Sequence, residues 1–234
     1  MNKEEGKILG IIGGMGPLAT NIFYQKLIDM TPAKRDQDHI NMIILSHATM
    51  PDRTESIRSG DLSVLLNKLQ EDAVFLEKSG ADCIAIPCNT SHVVMDDLQR
   101  SVSIPIINMV RETVAYLLDE CDCHNQKVGI MATNGTIEAR IFQNEMEPKG
   151  LIPIVADPEN QRKLMHIIYD GVKAGLPVDS ADFESVEDQM RREGCKKIIL
   201  ACTELSCYAM EHQMSDIFVD AMEVLTRKVI GLCK

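Results

Sequence analysis

The chain has 234 residues, 45% apolar and 25% charged, which is the balance of a soluble globular protein. A net charge of −11 argues against nucleic acid and anionic membrane as partners. A small anionic substrate stays open, because local Arg and Lys decide that. No apolar run approaches the roughly 20 residues of a membrane helix. The charged opening Met1-Asn2-Lys3-Glu4-Glu5-Gly6 does not read as a secretory signal. Eight cysteines in such a chain predict free thiols in a reducing, cytoplasmic setting rather than a disulfide framework.

Short β-branched runs predict strands at about 7–12, 40–45, 83–87, 104–107, 127–131, 151–155 and 197–201, with an eighth near 217–219. Helical patterns lie between them. Pro17 falls where the first helix begins. After Asp61, the positions Leu62, Leu65, Leu66, Leu69, Ala73 and Leu76 share one helix face, which ends near Gly80. Asp157-Pro158 has the form of an N-cap followed by Pro at the first helical position, and that helix should reach about Gly175. The alternation predicts an α/β fold with mostly parallel sheets covered by helices on both faces.

The chain also repeats itself. Lys7-Ile8-Leu9-Gly10-Ile11-Ile12-Gly13-Gly14 resembles Lys127-Val128-Gly129-Ile130-Met131-Ala132-Thr133-Asn134. With Gly10 set on Gly129, Ile22 falls on Ile141 and Phe23 on Phe142. Later in each half, a Gly turn and an apolar run end on a cysteine. These are Gly80 to Cys88-Asn89-Thr90 and Gly194 to Cys202-Thr203-Glu204. Two matches in the same order predict duplicated domains related by a pseudo-twofold, with a ligand site between them. The expected division is 1–110 plus 213–234 for the first domain and 111–212 for the second.

Each cysteine is expected to close a strand at the carboxyl edge of its sheet, where open α/β sheets bind ligands. A helix start just after it would favour thiolate. The bland alternative is two buried structural thiols, since free Cys is among the most buried residue types. The loop Gly14-Met15-Gly16-Pro17-Leu18-Ala19 formally fits a dinucleotide fingerprint, but the second strand ends Leu45-Ser46-His47 where a ribose-binding acid is wanted. Zinc at Cys121-Asp122-Cys123-His124 or Cys88…His92 lacks paired C-x2-C units. His92 reads as a first-turn helix residue, and His47 is ambiguous. Arg53, after the second strand, suits a bidentate carboxylate. Lys173 reads by itself as a lysine near a helix end.

Several motifs together resemble the aspartate racemase branch of the cofactor-independent aspartate/glutamate racemase superfamily. They are Ile12-Gly13-Gly14-Met15-Gly16-Pro17, Pro51-Asp52-Arg53-Thr54, Pro87-Cys88-Asn89-Thr90-Ser91-His92, Ala201-Cys202-Thr203-Glu204, and Tyr169-Asp170-Gly171-Val172-Lys173-Ala174-Gly175. The resemblance covers nearly the whole chain. It implies that Cys88 and Cys202 transfer protons on opposite faces of an α-carbon, without pyridoxal phosphate or metal. It implies that Asn89, Thr90 and Thr203 hold the α-carboxylate, and that Arg53 and Lys173 recognise the side-chain carboxylate. Met15, Thr133 and Glu204 complete the candidate substrate-binding set. The implied substrate is aspartate, with glutamate possible, and relatives are commonly homodimers. Rival readings are a broad-specificity or glutamate-preferring racemase, a maleate-type isomerase, a nucleotide-binding protein using the Gly-rich loop, and a catalytically silent amino-acid-binding protein.

Overall fold

Among the described residues eight strands form along the predicted runs, and every strand pairing is parallel. The structure is a computed structural model and describes residues 6–234; the charged opening, 1–5, lies outside the described residues. The first half contains β1 (Ile8–Gly13), α1 (Pro17–Met30), β2 (Asn41–Ser46), α2 (Arg53–Ser59) and α3 (Ser63–Lys78). It continues through β3 (Cys83–Ala85), α4 (Met95–Gln99) and β4 (Ile106–Ile107). The second half contains α5 (Met109–Asp119), β5 (Lys127–Met131), α6 (Asn134–Glu138), α7 (Gln143–Met146) and β6 (Ile152–Val155). It continues through α8 (Pro158–Met165), α9 (Ser180–Arg192), β7 (Lys197–Leu200), α10 (Thr203–Glu211), β8 (Phe218–Asp220) and α11 (Ala221–Cys233).

The two sheets share one topology. Their strand orders are β2-β1-β3-β4 and β6-β5-β7-β8, so each strand of the first has a counterpart in the second. The duplication seen in the opening motifs therefore extends to the order of all eight strands. Among the described residues no helix is long and apolar enough to cross a membrane.

The chain forms two compact units. One runs up to Met109 and takes in Met222–Lys234; the other is Val110–Ala221. After its last strand, each half sends a helix to the other unit. Most of α5 follows β4 but belongs to the second unit, and most of α11 follows β8 but belongs to the first. Both helices have one apolar stripe at the required spacing. Val110, Val114 and Leu117 are buried on α5, and Met222, Leu225, Val229 and Cys233 on α11. The stretch 213–220, grouped by sequence with the first half, goes with the second, because β8 pairs with β7 from Ile198↔Phe218 to Leu200↔Asp220.

Local details follow from the sequence. Asp157 caps α8 by accepting hydrogen bonds from the Glu159 and Asn160 amides at 3.0 and 2.9 Å. The helix then widens into a π-helix over His166–Lys173, which the apolar spacing did not announce. Strand β3 stops at Ala85, two residues short of the expected end. Pro87 has no N–H to continue the ladder, and the Cys88 amide turns back to the Ile86 carbonyl at 2.8 Å. Likewise β4 starts at Ile106, because Pro105 offers only its carbonyl, which accepts from the Ile84 amide at 2.9 Å.

The glycines after β1 allow a close approach. A Cβ on Gly13 would lie 2.3 Å from Thr20 Cγ2. Gly14 has φ +87°, and a Cβ there would lie 2.5 Å from the His47 backbone. Gly60 ends α2 at φ +74° with open space around it. Gly14→Ala should therefore cost about 2–5 kcal/mol, from left-handed strain plus a clash that backbone cannot relieve. Gly60→Ala should cost about 1–2 kcal/mol, from strain alone. Urea unfolding midpoints check the pair; equal losses at the two sites would contradict the packing argument.

Candidate active site

The sequence-predicted residues fall into two groups, one on each unit. In the first unit, the loops after β1, β2 and β3 lie at the carboxyl edge, as parallel pairing requires. Arg53 is the first residue of α2 and is buried. Its guanidinium donates to the Pro51 carbonyl at 3.0 Å and to the Met15 carbonyl at 3.2 Å. Met15 is buried in turn, and its sulfur accepts from the Ser91 hydroxyl at 3.3 Å. The loops carrying Arg53, Met15 and the Cys88-Asn89-Thr90 motif are thus tied into one cluster.

Cys88 sits in the turn beyond β3, not on its last residue, and is buried. Asn89 and Thr90 follow at the start of a 3-10 turn, Thr90–Val94. His92 holds this turn in place. The Met109 amide donates to His92 Nε2 at 3.0 Å, so Nδ1 carries the proton and donates to the Cys88 carbonyl at 2.9 Å. Sequence reasoning placed His92 in a first turn but missed that both ring nitrogens fix the cysteine's backbone. Asn89 is only 2% exposed, yet neither its Oδ1 nor its Nδ2 has a hydrogen-bond partner among the described residues. Buried amides are normally satisfied, so this one is arranged for a group that the chain does not supply.

His47 is resolved as a structural residue. Its Nδ1 lies 2.8 Å from Asp72 Oδ2 on α3, and its amide donates to the Gly13 carbonyl at 3.1 Å. In the Gly-rich loop, the Gly14 amide donates to Thr20 Oγ1 at 2.9 Å, and that hydroxyl donates to the Gly16 carbonyl at 2.9 Å. The amide a pyrophosphate would use is therefore taken up within the loop itself.

In the second unit Cys202 occupies the N-cap position of α10, two residues beyond β7, and is buried. Its thiol donates to Glu204 Oε2 at 2.9 Å. Glu204 is buried, and Lys173 Nζ lies 3.9 Å from its other oxygen. The same ammonium sits 4.0 Å above the Tyr169 ring centroid. Lys173 and Tyr169 both lie in the π-helix, which brings them over Glu204. Tyr169 was not singled out from sequence, although its four-residue spacing from Lys173 was a usable signal.

Electrostatics at Cys202 reverse the sequence expectation. The helix start was expected to favour thiolate, but the thiol is pushed well above its ordinary range. Burial is the main cause, followed by the Glu204 charge and by the hydrogen bond to it. Lys173 and the Glu204 amide pull the other way with less effect. Cys202 therefore rests as a thiol aimed at a carboxylate.

Thr203 is buried beside Cys202, its hydroxyl 3.5 Å from Glu204 Oε2. Thr133 caps α6 through the Thr136 amide at 3.3 Å, so its hydroxyl is engaged locally. A cavity of about 470 Å³ is lined by Asn134, Gln161, Met165 and Tyr169, among others. Gln161 Nε2 donates to the Ala132 carbonyl and to Asn134 Oδ1, both at 2.9 Å, and its Oε1 is buried without a partner. Among the described residues no three His, Cys, Asp or Glu side chains group as a metal site. Near the considered zinc cluster, the Cys123 thiol turns to the Cys121 carbonyl at 3.6 Å.

Comparison with known proteins agrees with this architecture. The profile of the Asp/Glu/Hydantoin racemase family matches residues 12–229. The broad-specificity amino-acid racemase RacX of Bacillus subtilis is 28% identical over 229 residues, covering 96% of this chain and 97% of its own. The Picrophilus torridus aspartate racemase superposes with a TM-score of 0.79 at 28% identity, covering 97% of this chain and 94% of its own. An aspartate racemase homologue from Pyrococcus horikoshii superposes with a TM-score of 0.78 at 28% identity, covering 97% and 99%. Two parallel four-stranded sheets, the paired Cys loops and a family match over nearly the whole length make this chain a member of the Asp/Glu/hydantoin racemase family.

Proposed function

We propose that the protein interconverts L- and D-aspartate by two-base proton transfer through Cys88 and Cys202, without pyridoxal phosphate or metal. The observation that carries this reading is Asn89. A fully buried amide with both ends unpartnered, next to Cys88, awaits a ligand with an acceptor and a donor. An amino acid's carboxylate and ammonium are such a pair.

In the proposed reaction one cysteine, as thiolate, removes the α-proton, and the other, as thiol, returns one to the opposite face. Asn89, Thr90 and Thr203 hold the α-carboxylate and stabilise the charge that develops on it. Arg53, already pinned against Met15, offers its guanidinium to the side-chain carboxylate at little ordering cost. Lys173 contributes positive charge near Glu204 and takes part in side-chain recognition. Glu204 acts on the Cys202 thiol beside it. It accepts the Cys202 proton when that residue must act as base, and otherwise keeps it a thiol. Cys202 serves the L-enantiomer and Cys88 the D-enantiomer.

A second reading keeps the chemistry and widens the substrate. It is favoured by the full-length match to a broad-specificity racemase. The deciding experiment is incubation of metal-free protein with L-aspartate, L-glutamate and neutral L-amino acids, no cofactor added, followed by chiral chromatography. Aspartate should approach equal amounts of both enantiomers. Comparable rates on neutral amino acids would establish the broad reading, and no conversion of any of them would remove the racemase proposal.

The two-base assignment makes a directional prediction. Cys88→Ser and Cys202→Ser should each abolish net racemisation. In heavy water, residual α-hydrogen exchange in Cys88→Ser should favour L-aspartate, and in Cys202→Ser it should favour D-aspartate. The quantity to read is the L-to-D exchange ratio in each variant. Identical ratios, or full racemisation by either variant, would sink the assignment.

A further prediction follows from the carboxylate beside Cys202. Its negative charge opposes ionisation of the thiol, so Glu204→Gln should lower the thiol's pKa. At a fixed pH near 8, alkylation of Cys202 by iodoacetamide should speed up, roughly tenfold for each unit of the fall. Racemisation should slow, because the proton acceptor is gone. Unchanged or slower alkylation, read by mass spectrometry of the Cys202 peptide, would show that Glu204 does not hold the thiol neutral.

A further inference from the structure

Two cysteines far from each other in sequence meet in the first unit. Cys83 opens β3 and Cys233 closes α11, 150 residues later, and their sulfurs lie 3.6 Å apart in a buried position. Both are free thiols. Cys83 is five residues before Cys88, at the opposite end of β3 from the candidate site. The proposed reaction uses neither sulfur.

We propose that Cys83 and Cys233 are a modification site, a thiol pair that a small peroxide converts to a reversible disulfide stapling α11 to β3. A disulfide needs sulfurs about 2.05 Å apart, so the pair must close by roughly 1.5 Å, within reach of side-chain rotation. A hydrogen bond joins the two sulfurs, either of which can donate, and the nearby Lys7 favours thiolate at both. Cys233 can act as the nucleophile, and the same balance holds with the two roles exchanged.

The chemistry balances in two steps. The Cys233 thiolate attacks one peroxide oxygen, the O–O bond breaks, and the departing hydroxide takes up a proton to become water. The resulting sulfenic acid is attacked by the Cys83 sulfur, the S–O bond breaks, and the second oxygen leaves as water with the Cys83 proton. Two thiols lose two electrons, and one peroxide becomes two waters. An added dithiol reverses the step.

The position gives the bond a consequence. Helix α11 is the segment by which the chain comes back to the first unit after β8. A bond from Cys233 to Cys83 closes a covalent loop that contains the whole of Val110–Ala221. Loops that long restrict the unfolded chain strongly, so the oxidised protein should melt higher, by on the order of 10 °C.

The test is to treat the full-length folded protein with hydrogen peroxide, block remaining thiols, and map peptides without reduction. A peptide joining Cys83 to Cys233 is expected, together with a rise in melting temperature that dithiothreitol reverses. Cys233→Ser and Cys83→Ala should each lose both the cross-link and the rise. Should Cys83→Ala fold poorly, Cys233→Ser at the helix end gives the same reading. Separate Cys83 and Cys233 peptides after oxidation of the folded protein would overturn the proposal. So would a cross-link that forms only in urea.

Discussion

Parallel strand pairing governs where everything else in this protein can lie. Two parallel strands cannot be joined by a tight turn, so each must be followed by a crossover, here built largely of helix. All loops that leave the strands then emerge at one edge, and all that enter them at the other. The residues with chemistry to offer follow strands: Met15 after β1, Arg53 after β2, Cys88 after β3, Thr133 after β5 and Cys202 after β7. Cys83 and Cys195, at or before strand starts, lie at the other edge. The same rule thus separates Cys88 and Cys202, at the edge of the candidate site, from Cys83 and Cys195 at the opposite edge.

Duplication gives two similar frames, but the two cysteines are held by different means. Around Cys88 the constraint is on backbone: His92, with its tautomer set by the Met109 amide, grips the cysteine's carbonyl. Around Cys202 the constraint is on the thiol: Glu204 takes its hydrogen bond, and Lys173 stands behind the carboxylate. Where the repeat aligns Thr90 with Glu204, a neutral residue faces an acidic one. Duplication kept the scaffold and let the groups beside each sulfur diverge, which suits the unlike parts that the proposed reaction gives the two cysteines.

Much of this was legible in the sequence, for identifiable reasons. The strands were visible because β-branched runs between Gly, Pro and Asn leave few alternatives, the start of α1 because Pro17 suits a first helical position, and that of α8 because Asp157 can satisfy orphan amides. Strand ends were misjudged at Pro87 and Pro105, where apolar character continues but the hydrogen-bond ladder cannot. The 213–220 stretch goes with the second unit because β8 pairs with β7, and a strand expected near 217–219 does not by itself say which sheet it joins. The π-helix at His166–Lys173 gave no signal, since apolar spacing distinguishes helix from strand, not one helix type from another. At the site, residue types pointed to Cys88 and Cys202, but not to the sign of the Cys202 pKa shift. A helix start favours thiolate, and only packing shows that burial and a carboxylate outweigh it. The roles of His92 and Ser91 rest on contacts between loops, which no local pattern contains.

The unlike surroundings of the two cysteines bear on the proposed reaction in one further way. L- and D-enantiomers have equal free energy in water, so racemisation has an equilibrium constant of one. The ratio kcat/KM must then be the same in both directions at every pH, however unlike the two cysteines are. A carboxylate that holds Cys202 as a thiol cannot favour one product. It can only determine which protonation form of the free enzyme predominates, which changes kcat/KM equally in both directions. With Cys202 protonated, the resting form lacks the base assigned to the L-enantiomer and has the acid that completes the D-to-L direction. In the proposed reaction Glu204 then serves both directions. It leaves the proton on Cys202 when that residue must be an acid, and it takes that proton at a distance of 2.9 Å when Cys202 must be a base. That dual requirement is a physical reason for a carboxylate at this position, where an amide could orient the sulfur but could not receive its proton.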